Sequence, residues 1–118
     1  MSPVDPRPPV ESEGEVVTVV GSSCTACGYV VAGVEPACPI CGAQTTRAAC
    51  GPGGSVWAST VVRIAVPDRQ PPYGLAYVDL ENGPRILAHT PGEAALPVGS
   101  SVLLGPLSAA GDLTAVPA

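Results

Sequence analysis

"CTACGYVVAGVEPACPICG" (residues 24–42) carries four of the chain's five cysteines, arranged as two CxxC pairs. A CxxC turn points both sulfurs at one centre. Two such turns supply four thiolates in a tetrahedron, which zinc accepts without geometric strain. Gly28 and Gly42 follow the second cysteine of each pair, and glycine permits the left-handed backbone that turns amides toward the sulfurs. Pro39 pre-sets the second turn, and the intervening "GYVVAGVEPA" (28–37) fits a ribbon hairpin. The expected ligands are Cys24, Cys27, Cys38 and Cys41. All four positions are thiolates, so none is left open to water, and the site reads as structural Zn2+ rather than catalytic metal. Rubredoxin-like iron, a redox dithiol and two local disulfides are the competing readings.

The first residues, "MSPVDPRPPVESEGE", lack a basic start followed by an apolar run, so no secretory signal is expected. A reduced, cytoplasmic setting follows as the expectation, and in it CxxC pairs read as metal ligands before disulfides. No stretch approaches the roughly 20 apolar residues of a membrane span.

Working outward, residues 1–14 are Pro-rich and acidic with little to bury, and are expected to be a disordered tail. Residues 15–50 form the zinc ribbon, opening on the β-prone "EVVTVVGSS" (15–23). "GPGG" (51–54) is a hinge of strong breakers, and 51–118 form a second unit. Five β-prone runs lie there: "SVWASTVVRIAV" (55–66), "YGLAYVDL" (73–80), "PRILAHT" (84–90), "SVLLGPL" (101–107) and "DLTAVPA" (112–118). Asn82-Gly83 between the second and third favours a tight hairpin turn. No helix-period segment exceeds a turn or two. The fold class expected is mostly β: a rubredoxin-like zinc ribbon followed by a small five-stranded OB-fold barrel, with an SH3-like barrel as competitor.

The chain has 118 residues, five Arg, no Lys, ten acidic residues and a formal charge of −5. Duplex nucleic-acid binders need a basic surface to displace counterions, and this balance argues against one overall while leaving room for a local Arg patch. Groups for catalysis are few. Cys50 reads as a small buried or half-buried thiol, and His89 as a strand residue facing solvent; nothing in the spacing pairs them. Asp79 and Glu81 read as turn residues, and Ser59 and Thr60 have no partner in view. No GxSxG, HExxH or phosphate-cradling loop is present. Trp57 reads first as a core side chain of a barrel without Phe. Otherwise Trp57, Arg63, Tyr73, Tyr77 and Arg85 are the candidates to meet the adenine and phosphates of a nucleotide-like ligand, because aromatics on an OB face stack bases and arginines meet phosphates.

The order CxxCG, CPxCG, Gly-rich hinge, "VWASTVVRIAV" (56–66), "PPYGLAYVDLENGPRILAHT" (71–90) and "LPVGSSVLL" (96–104) resembles a family of small acyl-CoA-associated proteins. These join a rubredoxin-like zinc ribbon to an OB-fold barrel and were long filed as a domain of unknown function. The likeness spans about residues 18–106. It implies a non-catalytic subunit that bridges or completes a thiolase-fold enzyme (a thiolase, aldolase or synthase), with its barrel lying along CoA or an acyl chain. By position it also makes the four knuckle cysteines the zinc ligands. Many relatives carry a helical N-terminal segment that clamps the partner. Here that segment is only "MSPVDPRPPVESEGE", so partner contact falls to ribbon and barrel, or the tail folds on binding. The alternative functions are a nucleic-acid-binding ribbon/OB module, a stand-alone acyl-CoA-binding protein, and an enzyme using Cys50 or His89.

Overall fold

The computed structural model describes residues 7–67 and 69–118. Among them every regular element is a strand. The strands are β1 (Val10–Glu13), β2 (Val16–Cys24), β3 (Val30–Ala32), β4 (Thr45–Cys50), β5 (Gly53–Val62), β6 (Tyr73–Leu80), β7 (Arg85–Thr90), β8 (Ser101–Gly105) and β9 (Thr114–Pro117). β2 is the centre of a four-stranded ribbon sheet, pairing antiparallel with β1, β3 and β4. The remaining five close into a barrel in the order β5-β6-β7-β9-β8, with β8 returning to β5. β7 and β9 run parallel, while the other barrel pairs are antiparallel. This is the five-stranded OB arrangement, and the SH3-like alternative falls away.

The expected tail does not stay free. Residues 1–6 lie outside the described residues, but Val10–Glu13 is a strand in register with Val16–Val19. Alternating Val16-Val17-Thr18-Val19 gives β2 an edge worth pairing, and Gly14, at φ 63°, makes the reversal. The Asn82-Gly83 turn also differs from a two-residue hairpin. Four residues separate β6 from β7, the Gly83 N–H donates to the Leu80 carbonyl at 3.2 Å, and Asn82 alone takes φ 56°.

Period-2 alternation builds the barrel interior. Along β6, Gly74, Ala76, Val78 and Leu80 are buried, and along β7, Ile86, Ala88 and Thr90 are. Their partners Tyr73, Leu75, Tyr77, Asp79, Arg85, Leu87 and His89 make the outer face. Gly74 is opposite Thr90, and a Cβ there would overlap Thr90 Oγ1, which explains the residue.

Ribbon and barrel share one core. Val17, Val19 and Cys50 belong to the same buried cluster as Val56, Val78, Leu80, Val102 and Leu104. Cys50 is fully buried, and two glycines make room for it. A Cβ on Gly21 would come within 2.8 Å of its Sγ, and one on Gly83 within 2.9 Å.

Candidate metal centre and the outer face of the barrel

Cys24 closes β2, and Cys27 follows on the turn beyond it. Cys38 and Cys41 form the second turn, held by a bridge between Ala37 and Gln44. The two turns repeat one construction. The Gly28 N–H donates to the Cys24 carbonyl at 3.2 Å, and the Gly42 N–H to the Cys38 carbonyl at 2.9 Å. Both glycines take φ 77°. The N–H groups of Ala26 and Cys27 donate to Cys24 Sγ at 3.3 Å each, and that of Ile40 to Cys38 Sγ at 3.4 Å. The four sulfurs lie within 4.8 Å of one another, with Cys24–Cys41 at 3.5 Å and Cys27–Cys38 at 3.7 Å. A tetrahedron with metal–sulfur bonds of about 2.3 Å has sulfur–sulfur edges of about 3.8 Å, so the four residues fit a metal ion.

The amides also shape ionisation. The Cys27 N–H, then that of Ala26, holds Cys24 down to about 6, and the Cys41 N–H lowers Cys38. The Tyr29 N–H draws Cys27 down, but the Cys24 thiolate, desolvation, Cys38 and Cys41 outweigh it and push Cys27 up to about 11. Four sulfurs this close do not all ionise alone, and a dication at their centre removes the conflict.

The other candidates separate into two groups. Trp57 is not in the core. The register of β5 against β6 shifts between Val56 and Ala58, and this bulge sets Ala58 outward beside Trp57. Trp57 is 50% exposed and Tyr77 46%. Their rings meet edge to face at 6.0 Å, and the Arg85 guanidinium lies 3.8 Å from the Trp57 centroid. Asp79 grips Arg85 through Nε–Oδ1 at 2.7 Å and Nη2–Oδ2 at 3.2 Å. This lowers the Asp79 carboxyl and raises the Arg85 guanidinium. Asp79, read from the sequence as a turn residue, therefore holds a candidate contact residue in place.

Tyr73 lies at the other end of the same face. Arg69 sits over its ring at 5.4 Å, and His89 is 5.9 Å away. Asp112 ties this end together. It accepts from Arg69 at 2.6 Å and Arg7 at 3.4 Å, and its Oδ2 is 3.7 Å from His89 Nε2. His89 is thus half-buried rather than solvent-facing. Burial lowers its pKa, Arg69 adds to the effect, and Asp112 opposes it. Nothing in the sequence pointed to Asp112. Arg63 is exposed just past β5 and joins neither group. Cys50 is inert by burial, which raises its thiol pKa. Its neighbours, Gly21 and Gly83, differ from those of His89, so the two form no dyad.

Among the described residues no helix is long and apolar enough to cross a membrane. The family model of the ChsH2 C-terminal OB-fold domain matches residues 46–104, half of the 118-residue chain. The chain belongs to this family. Among solved structures, this ChsH2-family chain is similar to one described as "Ltp2-ChsH2(DUF35) aldolase". Identity is 27%, the TM-score is 0.66, and the likeness covers 84% of this chain and 82% of that one. A DUF35-family protein of unknown function from Sulfolobus solfataricus shares the fold at 17% identity and TM-score 0.63, over 86% and 76% of the two chains. No curated protein sequence matches the chain.

Proposed function

We propose that this ChsH2-family chain is a non-catalytic accessory subunit of a thiolase-like acyl-CoA enzyme in the cytoplasm. The observation that carries the reading is the likeness, over most of both chains, to a component of an Ltp2-ChsH2(DUF35) aldolase. The chemistry of the chain supports it. The four-cysteine set is closed, Cys50 is buried, and His89 is set against Asp112 and Tyr73. In this reading Cys24, Cys27, Cys38 and Cys41 hold zinc, which contributes folding free energy and leaves no position for a substrate. The barrel face with Trp57, Tyr77 and Arg85 then meets the enzyme or its acyl-CoA.

The experiment is purification of the tagged chain from its own cells, followed by assay of each component and of the recombined pair on acyl-CoA substrates. A thiolase-fold protein is expected in near-equal amount, active only with this chain present. A partner fully active alone, or turnover by this chain alone, would falsify the reading.

A further inference from the structure

Half of the twelve exposed large apolar residues, Val34, Ile40, Ile64 and Val98 among them, lie outside the strands, and scattered residues of this kind are normal. Trp57, Tyr77 and Leu87 differ. They lie on three adjacent strands, face outward, and are 50%, 46% and 48% exposed. Tyr77 is in direct register with both Ala58 and Leu87. Because the bulge turns small Ala58 outward where a regular strand would bury it, the face is dented rather than flat. The dent is a cavity of about 270 Å³, walled chiefly by Thr60, Leu75, Tyr77 and Leu87 over Ala58.

The charge around the dent departs from that of the chain. Although the whole carries −5, Arg85, Arg69 and Arg7 stand around this face, and Arg63 follows β5. Arg85 stands at one end, and Arg69 and Arg7 at the other. Asp79 and Asp112 among them are each already bonded to arginine. Arg85 is held by Asp79 and Trp57 with Nη1 outside both bonds to the carboxylate, so a donor is positioned in advance and little side-chain entropy remains to be lost. Aromatic and arginine anchors beside an apolar pocket are the composition of an interface hot spot.

We propose that this face is a protein-docking surface: an apolar side chain of the partner enters the Ala58 dent, and flanking partner carboxylates meet Arg85 and Arg63. The inference deepens the accessory-subunit reading and rests on it for the partner's class. A nucleic-acid strand fits less well, since three of the four guanidiniums are committed to Asp79 and Asp112, and tracking a phosphate backbone takes several uncommitted cations.

The test uses the full chain with the protein that stays bound through purification. Hydrogen exchange of the complex against the free chain should show protection in 53–62, 73–80 and 85–90. Tyr77→Ala and Leu87→Ala should each weaken the complex at least about tenfold, and Leu103→Ala, an exposed β8 residue, about as much as no change at all. Raising salt should weaken the complex through Arg85 and Arg63. Zinc content and thermal unfolding confirm that each variant is folded. Protection confined to 24–42 or to β8–β9, with the Tyr77 and Leu87 variants binding normally, overturns the docking surface while a thiolase-fold partner keeps the accessory-subunit reading. A partner of another fold held through this face does the reverse. No bound partner at all overturns both. An oligo-deoxythymidine probe that binds the free chain at low salt and is lost with Trp57→Ala would make the face a nucleic-acid site and overturn the proposal.

Discussion

The Arg85 guanidinium rests 3.8 Å from the centre of the Trp57 ring, pinned there by Asp79. Trp57 is the only tryptophan, so its fluorescence reports this contact directly. Arg85→Ala is expected to change the intensity and position of Trp57 emission, and Asp79→Asn to do so partially by loosening the clamp. Both variants should leave stability nearly unchanged, since all three side chains are substantially exposed. Unchanged emission in Arg85→Ala would mean that the stack does not persist in solution.

Removing one knuckle ligand should remove the metal. Wild-type protein is expected to hold close to one zinc per chain by elemental analysis, and Cys38→Ser close to none. Because Val17, Val19 and Cys50 pack into the barrel core, metal removal with a chelator should lower the melting temperature of the whole chain, not of the ribbon alone. Full zinc in Cys38→Ser would sink the four-thiolate site.

His89 predicts a pH dependence. Burial and Arg69 hold its pKa below the ordinary 6.5, so the folded state binds fewer protons there than the unfolded state. The stability it contributes is complete above the unfolded value of about 6.5 and is lost as pH falls from there through the folded value. Thermal unfolding between pH 7.5 and 5 should show a steeper fall for wild type than for His89→Gln. Equal slopes would remove His89 from the account.

Asp112 holds three segments at once: Arg7, the loop bearing Arg69, and His89 on β7. Asp112→Ala should cost about 1 to 2 kcal/mol, because partly exposed arginines lose their shared acceptor. Chemical denaturation measures it, and a change within error would show the hub to be energetically idle.

A Cβ at position 74 would overlap Thr90 Oγ1, a buried hydroxyl that has no hydrogen-bond partner. Gly74→Ala is expected to cost about 1 to 3 kcal/mol by overpacking. Thr90→Ala alone should cost little, and the double variant should recover part of the loss. Strict additivity in this cycle would count against the contact.

What the sequence determined was local. The spacing of Cys24, Cys27, Cys38 and Cys41, each pair followed by glycine, fixes two turns within a few residues of covalent chain, so the four-cysteine cluster was legible without a fold. Five short β-prone runs after residue 54, separated by turn residues, likewise pointed to a small closed barrel. What only the tertiary structure decided was register and the meeting of distant segments. Trp57 looked like a core residue because a regular β5 with so few large side chains needs one. It lies outward beside inward Val56, and a bulge sets Ala58 on the same face; a bulge exists only relative to the strand it pairs with. Val10–Glu13 read as tail because its own residues bury little, and it became a strand because β2 offered it a free edge. Arg7, Arg69, His89 and Asp112 are scattered over 106 positions. No periodicity links them, and closure of the barrel is what brings their charges within reach.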